Sequence, residues 1–508
     1  MDYMAQLRKN TLELVQPFLD LQKRVKQKSP TVGLQREIVR QFLAVPLEFM
    51  AMDPELFNDS DNNPPPFLDT NLFADCTWQE LTQGEGHCEE VTIEELYALL
   101  RDKDSKSSPG IDGITWAMLK ALPPGLMQKL AYGITQMLQT GAIHPSMKVG
   151  VVSHLLKDPG TTGKATRQLT SYRPITLQSN LVKLASSVFV KRVKQRSNEA
   201  NISDCQRGWR GHKGTHESAR LLMDMITFHA NLKKEELIVV FADGRKAFDS
   251  VNIESVERVL TLMHLPIRDR ALIRALLTDL KFRINTKHGL TEEVHLPLGA
   301  PQGSCEATII YAWLIEPILR YLTKMAQTEG TGLIANTGSG PSALSVAAGI
   351  LAFADDLALV STTVAGMQKQ LDALHEFYRW ARLKMNVDED KIGKTACLCF
   401  NTDIHAVTLR WGDPSESDRS SQTRIPIIGH GEHYAYLGNR MGQQGLNAQA
   451  AHLISKAHAT HALISTARTM QWEAARIIKG YSTYRASQPT QWNLPLLTMP
   501  SVKRLISS

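Results

Sequence analysis

Apolar residues follow two different spacings along the chain. Near the start, Leu14, Phe18, Leu21 and Val25 recur at helical intervals among polar and basic neighbours. That spacing predicts a mostly helical stretch over 1–45, kinked or restarted at Pro17. "NDSDNNPPP" (58–66) is polar and Pro-rich and reads as a break. "TIEELYALLRD" predicts a short helix with Thr92 as N-cap and Glu95 three residues on, as in a capping box. Turn formers fill "SKSSPGIDGIT" (105–115). Two helical stretches follow, near 115–140 and 178–200, joined by the extended "VGVVSHLLK" and a Gly/Thr-rich loop.

The middle of the chain changes period. "ELIVVFAD" (236–243) is a short apolar, β-branched run that predicts a buried strand closed by Asp243. "NIESVERVLTLMH" (252–264) reads as a helix and "GAPQGS" (299–304) as a turn. "CEATIIYAWLIEPILRYL" predicts a helix interrupted at Pro317. "GTGLIANTGSGPS" (330–342) is Gly-rich and reads as flexible. A hairpin is predicted next, with strands over 346–353 and 357–361 and a tight turn at Ala354–Asp356. Apolar residues at 367, 371, 374, 378 and 381 then mark an amphipathic helix. From Leu446 to about Ile478 the chain reads as helical and rich in Ala and His, and no internal repeat is present.

Composition narrows the class without choosing a function. The 508 residues suffice for two to four domains, and 43% hydrophobic with 21% charged residues is a soluble globular balance. A net charge of +6 is compatible with nucleic acid without singling it out. Six scattered cysteines with no C-x-x-C pair argue against a disulfide framework or a zinc knuckle, and for a reducing compartment. The start lacks the apolar core of a signal peptide, and the longest apolar stretch, Val346–Ala354, is too short to span a bilayer. The reading is an intracellular protein with no membrane partner.

One dipeptide changes the picture. In "LAFADDLALV" two carboxylates, Asp355 and Asp356, interrupt an apolar run. Ionised Asp is rarely buried unless it is paired or holds a metal. Asp243 closes another apolar strand, and two such strands side by side bring the carboxylates to one end of a sheet. Three hard oxygen ligands suit Mg²⁺. Two ions there form a clamp for in-line phosphoryl transfer. For either motif alone, strand-terminal Asp residues facing water are the favoured reading. His452, His458 and His461 lie at roughly helical spacing, yet they and "HGEH" (430–433) are assigned no metal.

"FADGRKAFDSV" and "LAFADDLAL" resemble the two metal-binding motifs of reverse transcriptases. "SSPGIDGIT" resembles the opening loop of the non-LTR (LINE-type) retrotransposon branch. "SYRPITLQSNLVKLASSVFVKRV" and "QRGWRGHKGTHES" are similar to the fingers segments, "GAPQGS" to the G-x-P-Q-G turn, and "WARLKMN…KT" and "YLG" (436–438) to the last palm motifs. Eight segments thus fall in the family's order across about 105–440.

The resemblance implies an α+β right-hand polymerase. Its parts would be an N-terminal helical extension (1–57), a linker (58–91), fingers (92–236), a palm with an antiparallel sheet (237–440) and a helical thumb (441–508). It implies an RNA-directed DNA polymerase that extends a DNA primer on an RNA template with dNTPs. Two Mg²⁺ ions, with Mn²⁺ as a substitute, would be held by Asp243 and Asp355, and Asp356 would help to hold geometry. Phe248 would lie under the sugar and exclude a ribose 2′-hydroxyl. Arg173 and Lys157 would contact the triphosphate, Gln302 the nucleotide or template, and Lys394 would protonate the leaving pyrophosphate. Lys391 is the rival for that last role. Asp249 reads as an N-cap for the helix that follows it.

Two departures stand out. Cys305–Glu306 replaces the family's usual Pro or Val then Leu, on a surface expected near the template, and extra residues ("VDEDKIG") separate Asn386 from Lys394. The 90 N-terminal residues are too few for the endonuclease that many such elements carry, so nicking activity is expected to come from elsewhere or to be lost. Nuclear location is implied by the resemblance alone. The alternatives are an inactive RNA/DNA-binding remnant of such an element and an RNA-dependent RNA polymerase, with group II intron proteins a nearer relative whose maturase tail is not evident.

Overall fold

The computed structural model describes residues 64–443, apart from 79–88, 157–170, 198–200, 209–213, 287–288, 296–298, 302, 338–343, 348, 391, 393 and 416–421. The chain divides into two units, Met1–Gln443 and Gln444–Ser508, and every described residue belongs to the first. The helical readings of 1–45 and 446–478, with the expected extension and almost all of the expected thumb, lie outside the described residues.

Along the chain come helices α1 (Ile93–Arg101), α2 (Trp116–Lys120) and α3 (Pro124–Thr140), then strands β1 (Val149–Leu156) and β2 (Tyr172–Leu177). Helices α4 (Asn180–Arg196) and α5 (Thr215–Met225) precede β3 (Leu237–Asp243). Next are α6 (Ile253–Leu262), α7 (Ile267–Leu277), β4 (Lys281–Thr286), β5 (Gly289–Leu290), β6 (Val294–His295), α8 (Cys305–Leu314) and α9 (Glu316–Glu329). A hairpin of β7 (Ile334–Thr337) and β8 (Leu344–Ala347) is followed by β9 (Ile350–Phe353), β10 (Asp356–Ser361) and α10 (Val364–Trp380). Strand β11 (Ala396–Phe400) and three short pieces, β12 (Arg410–Trp411), β13 (Thr423–Arg424) and the β14–β15 hairpin (Tyr434–Tyr436, Asn439–Met441), complete it.

Two sheets organise these elements. The first, in the order β11-β3-β10-β9, is antiparallel throughout, and its central strand β3 buries Leu237–Ala242 completely or nearly so. Such a strand, covered on both faces, explains an uninterrupted apolar run. The second is mixed: β1 pairs β2 antiparallel and β4 parallel, with β5 and β6 also on β4. Helices α8, α9 and α10 supply much of the shared core through Tyr311, Trp313, Leu319, Leu322, Leu371 and Phe377.

Several expectations need correction. The stretch 115–140 is two helices, because Pro123–Pro124 ends one and starts the next. Thr92 does cap α1 by accepting from the Glu95 N–H. The Glu95 carboxylate, however, meets the Arg192 guanidinium at 2.7 Å, a tertiary partner that outbids the local one. Part of the Gly-rich stretch expected to be flexible, Ile334–Thr337, is a strand. Residues 66–73, expected within a linker, form two short 3₁₀ turns that bury Phe67, Leu68 and Phe73 in the core.

Among the described residues no helix is long and apolar enough to cross a membrane. Cys76, Cys205, Cys305, Cys397 and Cys399 are free thiols.

Candidate active site

The sheet register brings the carboxylates together. Asp243 ends β3 directly opposite Asp356, the first residue of β10. Between β9 and β10 the chain reverses in a turn of Ala354 and Asp355, with Ala354 at φ +56°. Asp355 is half-buried and Asp356 keeps solvent access at the sheet end.

Burial, then the Asp243 charge, raises the Asp355 carboxyl above the usual range, and Arg173 pulls the other way. The protein wall behind Asp356, then Asp355 and Asp243, pushes its carboxyl up to about 6. These are like charges crowded at one edge, an arrangement that favours a cation. Among the described residues no group of three or more His, Cys, Asp and Glu side chains is gathered as a ready metal site. The donor chemistry still fits Mg²⁺, which takes one or two carboxylates and completes its shell with water and substrate phosphate.

The segment after α10 grips Asp243. Its Oδ2 accepts from Asn386 Nδ2 at 2.9 Å and lies 3.3 Å from Lys394 Nζ. The Asp243 N–H donates to Thr395 Oγ1, and its carbonyl accepts from the Asn386 N–H. One Asp243 oxygen is thereby held by side chains. The sequence reading gave Asn386 and Thr395 no role, although both lie in the quoted "WARLKMN…KT".

After Asp243, Lys246 takes a left-handed conformation (φ +48°) and leads into a 3₁₀ turn, Ala247–Ser250. Phe248 in this turn packs on Tyr311 with ring centroids 5.2 Å apart. Below it Tyr311 and Tyr378 are almost wholly buried, and burial raises both hydroxyls well above their ordinary range, with the nearby Asp charges adding to the shift. Tyr434 stacks on Phe241 at 4.3 Å, closing the sheet face beside the carboxylates.

The "GAPQGS" turn is stitched to the Phe248 turn. The Gly299 N–H donates to the Val251 carbonyl and the Ala300 N–H to the Phe248 carbonyl. Gly299 has φ +106°, and a Cβ there would sit 2.8 Å from the Asp249 carbonyl oxygen. Only glycine allows that approach.

Asp249 does not cap the next helix. Asn252 does, accepting from the Glu254 and Ser255 N–H groups. Burial pushes the Asp249 carboxyl up to about 6, partly offset by the Lys246 charge. Arg173 is exposed on β2, where it pairs with Leu155 of β1, and its charge reaches Asp355. Glu306 is not on a surface: it is fully buried in the first turn of α8, and Cys305 Sγ lies 3.6 Å from its carboxylate. Lys157, Gln302 and Lys391 lie outside the described residues.

Comparison with known proteins identifies the family. The family model for reverse transcriptase (RNA-dependent DNA polymerase) matches residues 157–430. The probable RNA-directed DNA polymerase from transposon BS of Drosophila melanogaster is 28% identical over 225 residues, 44% of this chain and 24% of that protein. The Pol polyprotein of the retrotransposable element R2DM of the same organism is 23% identical, covering 68% of this chain and 30% of the relative. The RNA-directed DNA polymerase from the mobile element jockey is 24% identical, covering 68% and 35%. The chain therefore spans about a quarter to a third of the length of these relatives. With the model matching more than half of its length, and with the carboxylates of "FADGRKAFD" and "FADD" meeting across β3 and β10, the chain belongs to the reverse transcriptase (RNA-dependent DNA polymerase) family.

Proposed function

We propose that the protein is the RNA-directed DNA polymerase of a non-LTR retrotransposon, extending a DNA primer on an RNA template with dNTPs. The observation that carries this is the register that sets Asp243 opposite Asp356, with Asp355 in the adjoining turn. In this reading 92–236 act as fingers, 237–440 as palm and 441–508 as thumb.

Asp243 and Asp355 would hold two Mg²⁺ ions, with Asp356 supporting their geometry. Bound Mg²⁺ supplies activation of an attacking oxygen and stabilisation of a leaving pyrophosphate. The primer 3′-oxygen forms a bond to the dNTP α-phosphorus as the bond to pyrophosphate breaks. Asn386 keeps one Asp243 oxygen engaged, so the carboxylate's orientation is set before substrate arrives. Lys394, within 3.3 Å of the same oxygen, would deliver a proton to the leaving pyrophosphate in this reading. Arg173 meets the triphosphate with its planar fork. Phe248, backed by Tyr311, would fill the space a 2′-hydroxyl needs. That bulk favours dNTPs over the RNA-polymerase alternative. Nuclear location follows from the retrotransposon reading.

Primer extension on poly(rA)/oligo(dT) with Mg²⁺ and dTTP tests the proposal. Wild type should extend, and Asp355→Ala should abolish extension while retaining duplex binding. Silence from both proteins, with binding intact, would establish the RNA/DNA-binding remnant instead.

A further inference from the structure

We infer that Gln206 is a positioning residue for the polymerase reaction, because it fixes the backbone of the turn that carries Asp355 and Asp356. The inference rests on reading that turn as the catalytic one.

Gln206 is fully buried. Its side-chain oxygen accepts from the Ala354 N–H at 3.1 Å and from the Gly208 N–H at 3.0 Å. Both partners are donors, so the amide orientation is settled: the oxygen faces the turn. Ala354 has φ +56°, a left-handed conformation that residues with a Cβ seldom adopt. Something must hold it there, and the Gln206 oxygen takes the one backbone donor this residue has.

The flanking backbone reinforces the clamp. The Ala352 N–H donates to the Cys205 carbonyl at 2.9 Å, and the Arg207 N–H donates to the Ala352 carbonyl at 2.8 Å. Cys205–Gly208 therefore runs along β9 as an added edge, with Gln206 bridged to Ala352. Gly208 makes the approach possible. A Cβ at that position would lie 2.8 Å from the Ala354 nitrogen and 3.0 Å from the Gln206 oxygen.

The chemistry of the clamp suits its place. Asp355 and Asp356 repel each other and Asp243, a force that tends to splay the turn. A neutral amide holds the backbone and leaves both carboxylates free.

Gln206→Met keeps the side-chain volume and removes the acceptor. In single-turnover dTTP incorporation on poly(rA)/oligo(dT), we expect it to slow the maximal rate about tenfold or more, with the half-saturating dTTP changed less than about threefold. Glycine adopts positive φ freely, so the same substitution in the Ala354→Gly background should cost clearly less. Hydrogen exchange over residues 350–357 should be faster in Gln206→Met than in wild type. Gly208→Ala perturbs the same turn from the other side, and it serves as the probe if Gln206→Met fails to give a cooperative thermal melt. It should show the same rate loss at little change in half-saturating dTTP.

Wild-type rates in the folded variant, an equal loss in both backgrounds, or unchanged exchange over 350–357 would each overturn the inference. A wild-type protein that binds duplex but never extends it refutes the polymerase reading itself, and the inference falls with it. The two failures are thus distinct.

Discussion

The role proposed for Phe248 depends on the surroundings of one side chain. An aromatic residue five positions after a strand-ending Asp is ordinary core material unless the backbone turns it toward the sheet end. Here the left-handed Lys246 makes that turn, the Ala300 N–H grips the Phe248 carbonyl, and Tyr311 supports the ring. In the proposed reading, Phe248→Ala would empty the space beside the nucleotide sugar while leaving the carboxylates untouched. The expected result is a rise of about tenfold or more in kcat/KM for UTP relative to dTTP on poly(rA). An unchanged ratio would remove Phe248 from nucleotide selection. The position could be read from the sequence through its distance from Asp243. Its mechanical support could not, since Tyr311 lies 63 residues away and Ala300 on a different turn.

At the level of elements, helix α8 carries a cost that its sequence conceals. Glu306 begins the helix, where a negative charge suits the N-terminal dipole. Yet it is fully buried and its Oε1 has no hydrogen-bond partner among the described residues. Burial raises its carboxyl above the ordinary Glu range. A folded pKa above the unfolded one makes the sign clear. At pH below the unfolded value near 4.5 the group is protonated in both states and costs nothing extra. As pH rises through the folded value, the fold must ionise a buried group or keep its proton, and stability is lost. Glu306→Leu should stabilise the protein by roughly 1–3 kcal/mol at pH 8 and by less at pH 5. Urea unfolding at the two pH values measures the difference, and a larger gain at pH 5 would reverse the sign argued here.

The elements themselves were mostly legible. Strand β3 announces itself because a central strand is apolar on both faces, and the Pro at 317 marks the α8–α9 break. What stayed hidden was each choice between two local options decided from afar. Asp249 and Asn252 both resemble caps, and packing of the Gly299 turn against Asp249 leaves the role to Asn252. Glu95 could close a capping box, but Arg192 offers it a full charge. Gln206 meets the Ala354 N–H of the turn, and Asn386 the Asp243 carboxylate, only once the sheet has folded.

Over the whole molecule, the largest misreading concerns where the folded body begins. A Pro-rich polar break argues for a linker, because such a segment buries too little to offset the entropy of ordering it. Residues 66–78 escape that rule by placing a few large side chains into the body already formed by distant elements. Phe67 meets Phe377 and Trp380 of α10 edge-on, at ring-centroid distances of 5.4 and 5.8 Å. Phe73 lies under the Arg320 guanidinium, which also binds the Leu72 carbonyl and the Asp75 carboxylate. Trp78 Nε1 donates to the Met263 carbonyl, and Asn201 exchanges two hydrogen bonds with the Thr77 backbone. This segment therefore ties α9 and α10 to the end of α6, a contact between parts of the chain some 200–300 residues apart in sequence. Phe67→Ala would leave an aromatic-sized cavity between the segment and α10, and its expected cost is roughly 3–5 kcal/mol of unfolding free energy. A linker residue would cost almost nothing when truncated. Equilibrium urea unfolding of the two proteins decides between these outcomes, and a midpoint within error of wild type would return residues 66–78 to the status of a tether. If the loss is as large as expected, the cooperative unit starts near Pro66, ahead of α1, and α9 and α10 depend for stability on a segment outside the motifs that carry the family resemblance.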